Sequence, residues 1–146
     1  MSRVVSSARA WIGTPYVHQA STRGAGADCL GLLRGVWRDL LGAEPLPVPP
    51  YTPDWDEVAR REVLWTAARR VLIPVDGDPL APGQVLLFRM RGGSVAKHLG
   101  IVSALGAASS FVHAYTGVGV VETPLTVPWT RRIVARFAFP ETATEA

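Results

Sequence analysis

The chain has 146 residues, 48% hydrophobic and 18% charged, which suits one domain (residues 1–146) that buries its core without staples. A single cysteine excludes an internal disulfide, and no run approaches the roughly 18 apolar residues of a membrane span. The net charge is only +3 and the arginines are spread in pairs (Arg60 and Arg61, Arg69 and Arg70, Arg131 and Arg132), so direct nucleic-acid binding is not expected.

The first segment, residues 2–12, reads as a short helix in which Val4, Val5, Ala8 and Trp11 or Ile12 recur at helical spacing. It has an arginine but no uninterrupted apolar stretch, so no secretory signal is expected there. Gly13 and Pro15 end the helix. A polar loop follows over residues 16–27, and a second helix is predicted over 28–41. Asp28 is its expected cap, Gly42 its stop, and Leu30, Leu33, Val36, Trp37, Leu40 and Leu41 its apolar face. The proline-rich stretch "EPLPVPPYTPDW" reads as an extended strap; it suits a surface wrap better than a docking peptide. Asp54 or Asp56 should cap a third helix reaching about Leu72.

After "PVDGDPLAPG" the periodicity changes. "QVLLFRM", "KHLGIVSAL", "SSFVHAYT", "GVVET" and "RRIVARFAF" are short runs rich in β-branched and aromatic residues, most of them separated by glycine-containing turns. Helices first and strands second predict an α+β domain: N-terminal helices packed on an antiparallel sheet of about five strands.

The cysteine falls at a special place in this layout. Cys29 is the first residue of the second helix, where backbone N–H groups and the helix dipole favour an anion, so its thiol is expected to ionise readily. The same N–H groups can steady an oxyanion. The alternative is a structural cysteine. A nucleophilic thiol needs an imidazole, and two strands supply one each. His98, Gly100 and Val102 share one face of their strand, as do Phe111, His113 and Tyr115. In a suitable register the histidines lie side by side, one as base and the other holding its ring, with Gly100 leaving room for the end of the cysteine helix. His18 reads as a rim residue. One cysteine and three histidines show no familiar zinc spacing, and "RGGSV" lacks the lysine and helix of a phosphate loop, so no metal or cofactor is expected.

In order and spacing, "TPY…GADCLGL", "PGQVLLF", "KHLGIV" and "FVHAY" resemble the NlpC/P60 cysteine peptidases, in particular those of phage tails and gene-transfer agents. The resemblance runs from about Trp11 to Phe139. It implies a papain-like minimal fold acting on the stem peptides of bacterial peptidoglycan, with Cys29 as nucleophile, His98 as base and His113 as the residue orienting it. Tyr16 then corresponds to the tyrosine lining the site and Asp28 to the acidic residue before the nucleophile. Leu30 stands where the family usually has serine, Gln84 where it commonly has aspartate, and "VHQ" replaces a glycine pair. These departures bear on specificity more than on catalysis.

The expected function is therefore a cysteine endopeptidase that cuts peptidoglycan, carried in a phage-like tail to open the wall locally for DNA delivery. Its partners would be the peptide substrate and tail hub or tip proteins. Two alternatives remain: a structural tail-hub subunit with a vestigial hydrolase fold, and an amidase or acyltransferase using the same Cys-His machinery.

Overall fold

The computed structural model describes residues 2–48, 50–51, 62–92 and 94–140. Helix α1 (Arg3–Ala10) starts where Ser2 Oγ accepts from the Val5 N–H at 3.3 Å, and it buries Val4, Val5 and Ala8. Helix α2 (Cys29–Leu41) is capped by Asp28, whose Oδ1 accepts from the Gly31 N–H at 2.7 Å, and it stops at Gly42 with φ 86°.

The buried face of α2 differs from the one the leucines suggest. Cys29, Gly31, Leu32, Gly35 and Val36 are the buried residues. Two glycines let neighbouring backbone and ring come close: a Cβ on Gly35 would lie 1.9 Å from the Trp11 ring. Hydrophobic periodicity overlooks glycine, so the predicted face is rotated. Leu30, Leu33 and Trp37 instead line an apolar groove of about 620 Å³, shared with Pro45, Leu46, Val48 and Tyr51 of the strap and with helix α3 (Val63–Val71). The expected caps of this third helix, Asp54 and Asp56, lie outside the described residues.

Among the described residues the sheet has six strands, all antiparallel, one more than the five runs picked out in the sequence. They are β3 (Ile73–Val75), β4 (Val85–Phe88), β5 (His98–Ala104), β6 (Ser110–Tyr115), β7 (Gly119–Pro124) and β8 (Ile133–Ala138), in spatial order β3-β8-β4-β5-β6-β7. The unexpected strand, "IPV", is a three-residue edge segment whose proline is tolerated only because it lies at an edge. A two-stranded ribbon, β1 (Ser21–Thr22) and β2 (Gly26–Ala27), also forms inside the segment read as loop. All four residues of β4 are buried because both faces of the sheet are covered. The helices cover one face, over Leu87, Leu99, Ile101 and Val112. On the other, Trp129 of the short helix α4 (Val127–Thr130) packs over Leu86, Phe88, Val102 and Phe111. The architecture is α+β, with helices against an antiparallel sheet.

Candidate active site

The register of β5 on β6 pairs Ile101 with Val112 and Val102 with Phe111, so His98 and His113 project from one face. His98 Nε2 lies 2.7 Å from His113 Nδ1, with the rings at 78°. His113 Nε2 lies 2.8 Å from Thr123 Oγ1 on β7. Trp129 packs against both imidazoles, tilted towards His98 with ring centres 5.9 Å apart and edge-on to His113 at 5.3 Å. Burial holds both rings neutral: the His98 pKa is lowered to about 3, first by burial and then by His113, and burial alone lowers His113 to about 4.

Gly100 has a different task from the expected one. A Cβ there would meet Phe111 Cδ2 at 2.7 Å and Phe88 at 3.3 Å. The glycine makes room for aromatic rings on the face away from α2, not for the cysteine helix.

Cys29 packs on the helix side of the sheet and is 8% exposed. Its Sγ reaches the Lys97 carbonyl oxygen at 3.8 Å, at the residue preceding β5. Thiol and imidazole open onto a shared space: Cys29, His98, Tyr16, Asp28, Lys97 and Tyr115 line one cavity of about 130 Å³. His98 Nε2 is occupied by His113, which leaves Nδ1 for chemistry with the thiol.

The ready ionisation expected of Cys29 does not hold in the unliganded site. Burial, and after it the Asp28 carboxylate, push the thiol up to about 12. The N–H groups of Leu99, Leu30 and Cys29 itself pull the other way but are outweighed. The resting pair is a neutral thiol and a neutral imidazole. Because only the thiolate is alkylated, labelling by iodoacetamide should be slower at pH 7 than for a free thiol. It should rise about tenfold per pH unit through pH 9 without levelling off. Asp28→Asn removes one of the two raising influences and should shift this profile to lower pH. A plateau below pH 8 in the folded wild type would contradict a neutral resting thiol.

Asp28 ties the cysteine end of α2 to its surroundings. Its Oδ1 caps the helix, and its Oδ2 accepts from the Gln19 N–H at 2.8 Å and from the Tyr51 hydroxyl. His18 is more than a rim residue. Its Nε2 is 2.9 Å from the Tyr51 carbonyl oxygen, its Nδ1 is 3.7 Å from Asp28 Oδ2, and it lines the cavity. Tyr16 stands in the same wall, its phenol raised in pKa first by burial, with hydrogen bonding to Thr116 opposing. All five residues singled out in the sequence (Tyr16, Asp28, Cys29, His98 and His113) are thus brought together, four of them lining the cavity and His113 behind His98.

Sequence reasoning missed Tyr51, Thr123 and Trp129. Tyr51 sits in the proline strap and the other two follow the motif-bearing strands, so neither periodicity nor spacing marks them. Among the described residues no group of three His, Cys, Asp or Glu is placed to hold a metal ion.

No family model matches the sequence. Over 117 residues the chain is 28% identical to the probable endopeptidase NlpC of Escherichia coli (strain K12), a match covering 80% of this chain and 63% of that protein. The chain therefore spans somewhat less than two thirds of that relative's length. An NlpC/P60 family protein from Bacillus cereus ATCC 10987 superposes with a TM-score of 0.61 at 17% identity, over 92% of this chain and 38% of the other. A lipoprotein-like NLP/P60 family protein from Staphylococcus aureus Mu50 gives 0.57 at 17%, over 93% and 40%. By sequence the chain is similar to the NlpC endopeptidase, and by fold to proteins of the NlpC/P60 family.

Proposed function

We propose that this protein is a cysteine endopeptidase that cleaves peptide bonds in peptidoglycan stems. The observation that carries the reading is the opening of Cys29, at the start of α2, and of His98 onto one cavity, His98 being held from behind by His113. The substrate class follows the similarity to the NlpC endopeptidase.

In this reading Cys29 Sγ attacks the scissile carbonyl carbon while its proton passes to His98 Nδ1, the neutral resting pair ionising as the C–S bond forms. The free N–H groups of the first turn of α2 hold the oxyanion. His98 then protonates the departing amine, the C–N bond breaks, and a thioester remains. Water, deprotonated by His98, hydrolyses the thioester and restores the thiol. Tyr16 and Asp28 fix the cavity wall against which the peptide lies.

Purified sacculi incubated with the protein should release soluble fragments that mass spectrometry identifies as cut within the stem peptide. Release of intact stems, or transfer of an acyl group to an added amine, would point instead to an amidase or an acyltransferase. Delivery by a phage-like tail rests on the order and spacing of the sequence motifs. It requires the protein at low, fixed stoichiometry in purified particles, and its absence from them would end that part of the proposal.

A further inference from the structure

The imidazole pair does not end at His113. The His113 Nε2 atom lies 2.8 Å from Thr123 Oγ1, and the Trp129 ring covers both imidazoles. His113 is 1% exposed. A neutral imidazole has one N–H and one lone pair, so a chain of two rings and a hydroxyl admits only two proton arrangements. In the first, His98 Nδ1 is a lone pair, its Nε2–H donates to His113 Nδ1, and the His113 Nε2–H donates to Thr123 Oγ1. In the second every proton is reversed and His98 Nδ1 carries a hydrogen. Only the first lets His98 accept the thiol proton.

We propose that Thr123 is a positioning residue that selects the first arrangement by accepting the His113 Nε2–H. The inference rests on the reading of His98 as base. Thr123 is partly exposed, so its own hydroxyl hydrogen has solvent to turn to and its oxygen is left for the ring. A buried N–H without an acceptor is costlier than a buried lone pair without a donor. Thr123→Val therefore leaves the first arrangement with an orphaned N–H and tips the chain towards the second. The strand pairing supports the assignment: Thr123 stands opposite Phe111, two residues from His113 and on the same face of the sheet.

The test uses the full chain as wild type, Thr123→Val and Thr123→Ser. Imidazole ¹⁵N shifts identify the protonated nitrogen of each ring, and steady-state kinetics on a stem-type peptide gives kcat and KM separately. The expected wild type carries hydrogen on Nε2 of both His98 and His113. The valine variant should gain the Nδ1-protonated forms, with kcat about tenfold lower, the worth of one hydrogen bond, and KM unchanged. Serine should restore both readouts. A wild-type His113 protonated on Nδ1, or a valine variant with wild-type tautomers, overturns the proposal. If wild type itself fails to turn over, the proposed function falls, while the ¹⁵N shifts still decide the role of Thr123.

Discussion

Cys29→Ala should abolish turnover, by about four orders of magnitude or more, while melting within about 1 kcal/mol of the wild type. The side chain loses one sulfur atom, buried but held only by a long contact to a carbonyl oxygen, so its removal costs little more than one buried methylene. His98→Gln should fall nearly as far, since without the imidazole nothing takes the thiol proton. His113→Gln should leave measurable activity, because its contribution is to hold His98 rather than to move protons itself. Glutamine is the better probe than alanine here. The rings are 8% and 1% exposed, and truncating either to alanine would open a cavity costing about 3 kcal/mol and confuse the reading. Residues acting as one unit lose activity together, so a Cys29→Ala, His98→Gln double variant should be no worse than Cys29→Ala alone. Equal activity in wild type and His98→Gln would remove His98 from the mechanism.

The elements that the sequence makes legible are those with a strong local signal. Helix α1 announces itself by the helical spacing of its apolar residues and its stop, helix α2 by its cap and stop, and the strands that carry His98 and His113 by their β-branched and aromatic residues. Cys29 stands out as the one thiol at a helix start. What escapes is whatever depends on partners distant in sequence. Tyr51 matters because its hydroxyl meets Asp28, and burial together with that carboxylate raises its pKa. Nothing in a proline-rich stretch marks it. Thr123 and Trp129 matter only once β6, β7 and α4 close over the histidines. The ionisation of Cys29 is misjudged for a related reason. A helix N-terminus is visible in sequence, whereas the burial that outweighs it appears only when the chain has folded.

The second large effect concerns a glycine rather than a reactive group. Gly31 lies two residues beyond the cysteine, and a Cβ there would fall 1.8 Å from the Ala20 carbonyl oxygen and 2.9 Å from its carbon. Both atoms are backbone, so no side chain can swing aside. That carbonyl also accepts from the Asp28 N–H at 3.3 Å, and the Gly31 carbonyl accepts from Ser21 Oγ at 2.6 Å. Helix start and preceding ribbon are thus locked through the same contact. Gly31→Ala gains about 1 kcal/mol of helix propensity but forces the two backbones apart, at a cost of about 3 kcal/mol or more. The variant should melt well below the wild type. Its folded fraction should also lose turnover, because the shift displaces Asp28 and Cys29 from the cavity wall. Gly35→Ala separates the two effects. Its Cβ would meet the Trp11 ring at 1.9 Å, a side chain that can tilt, and it lies six residues from the thiol. That variant should lose stability yet keep kcat per folded molecule. A Gly31→Ala protein with wild-type melting and wild-type turnover would show that this close approach does not set the position of the nucleophile.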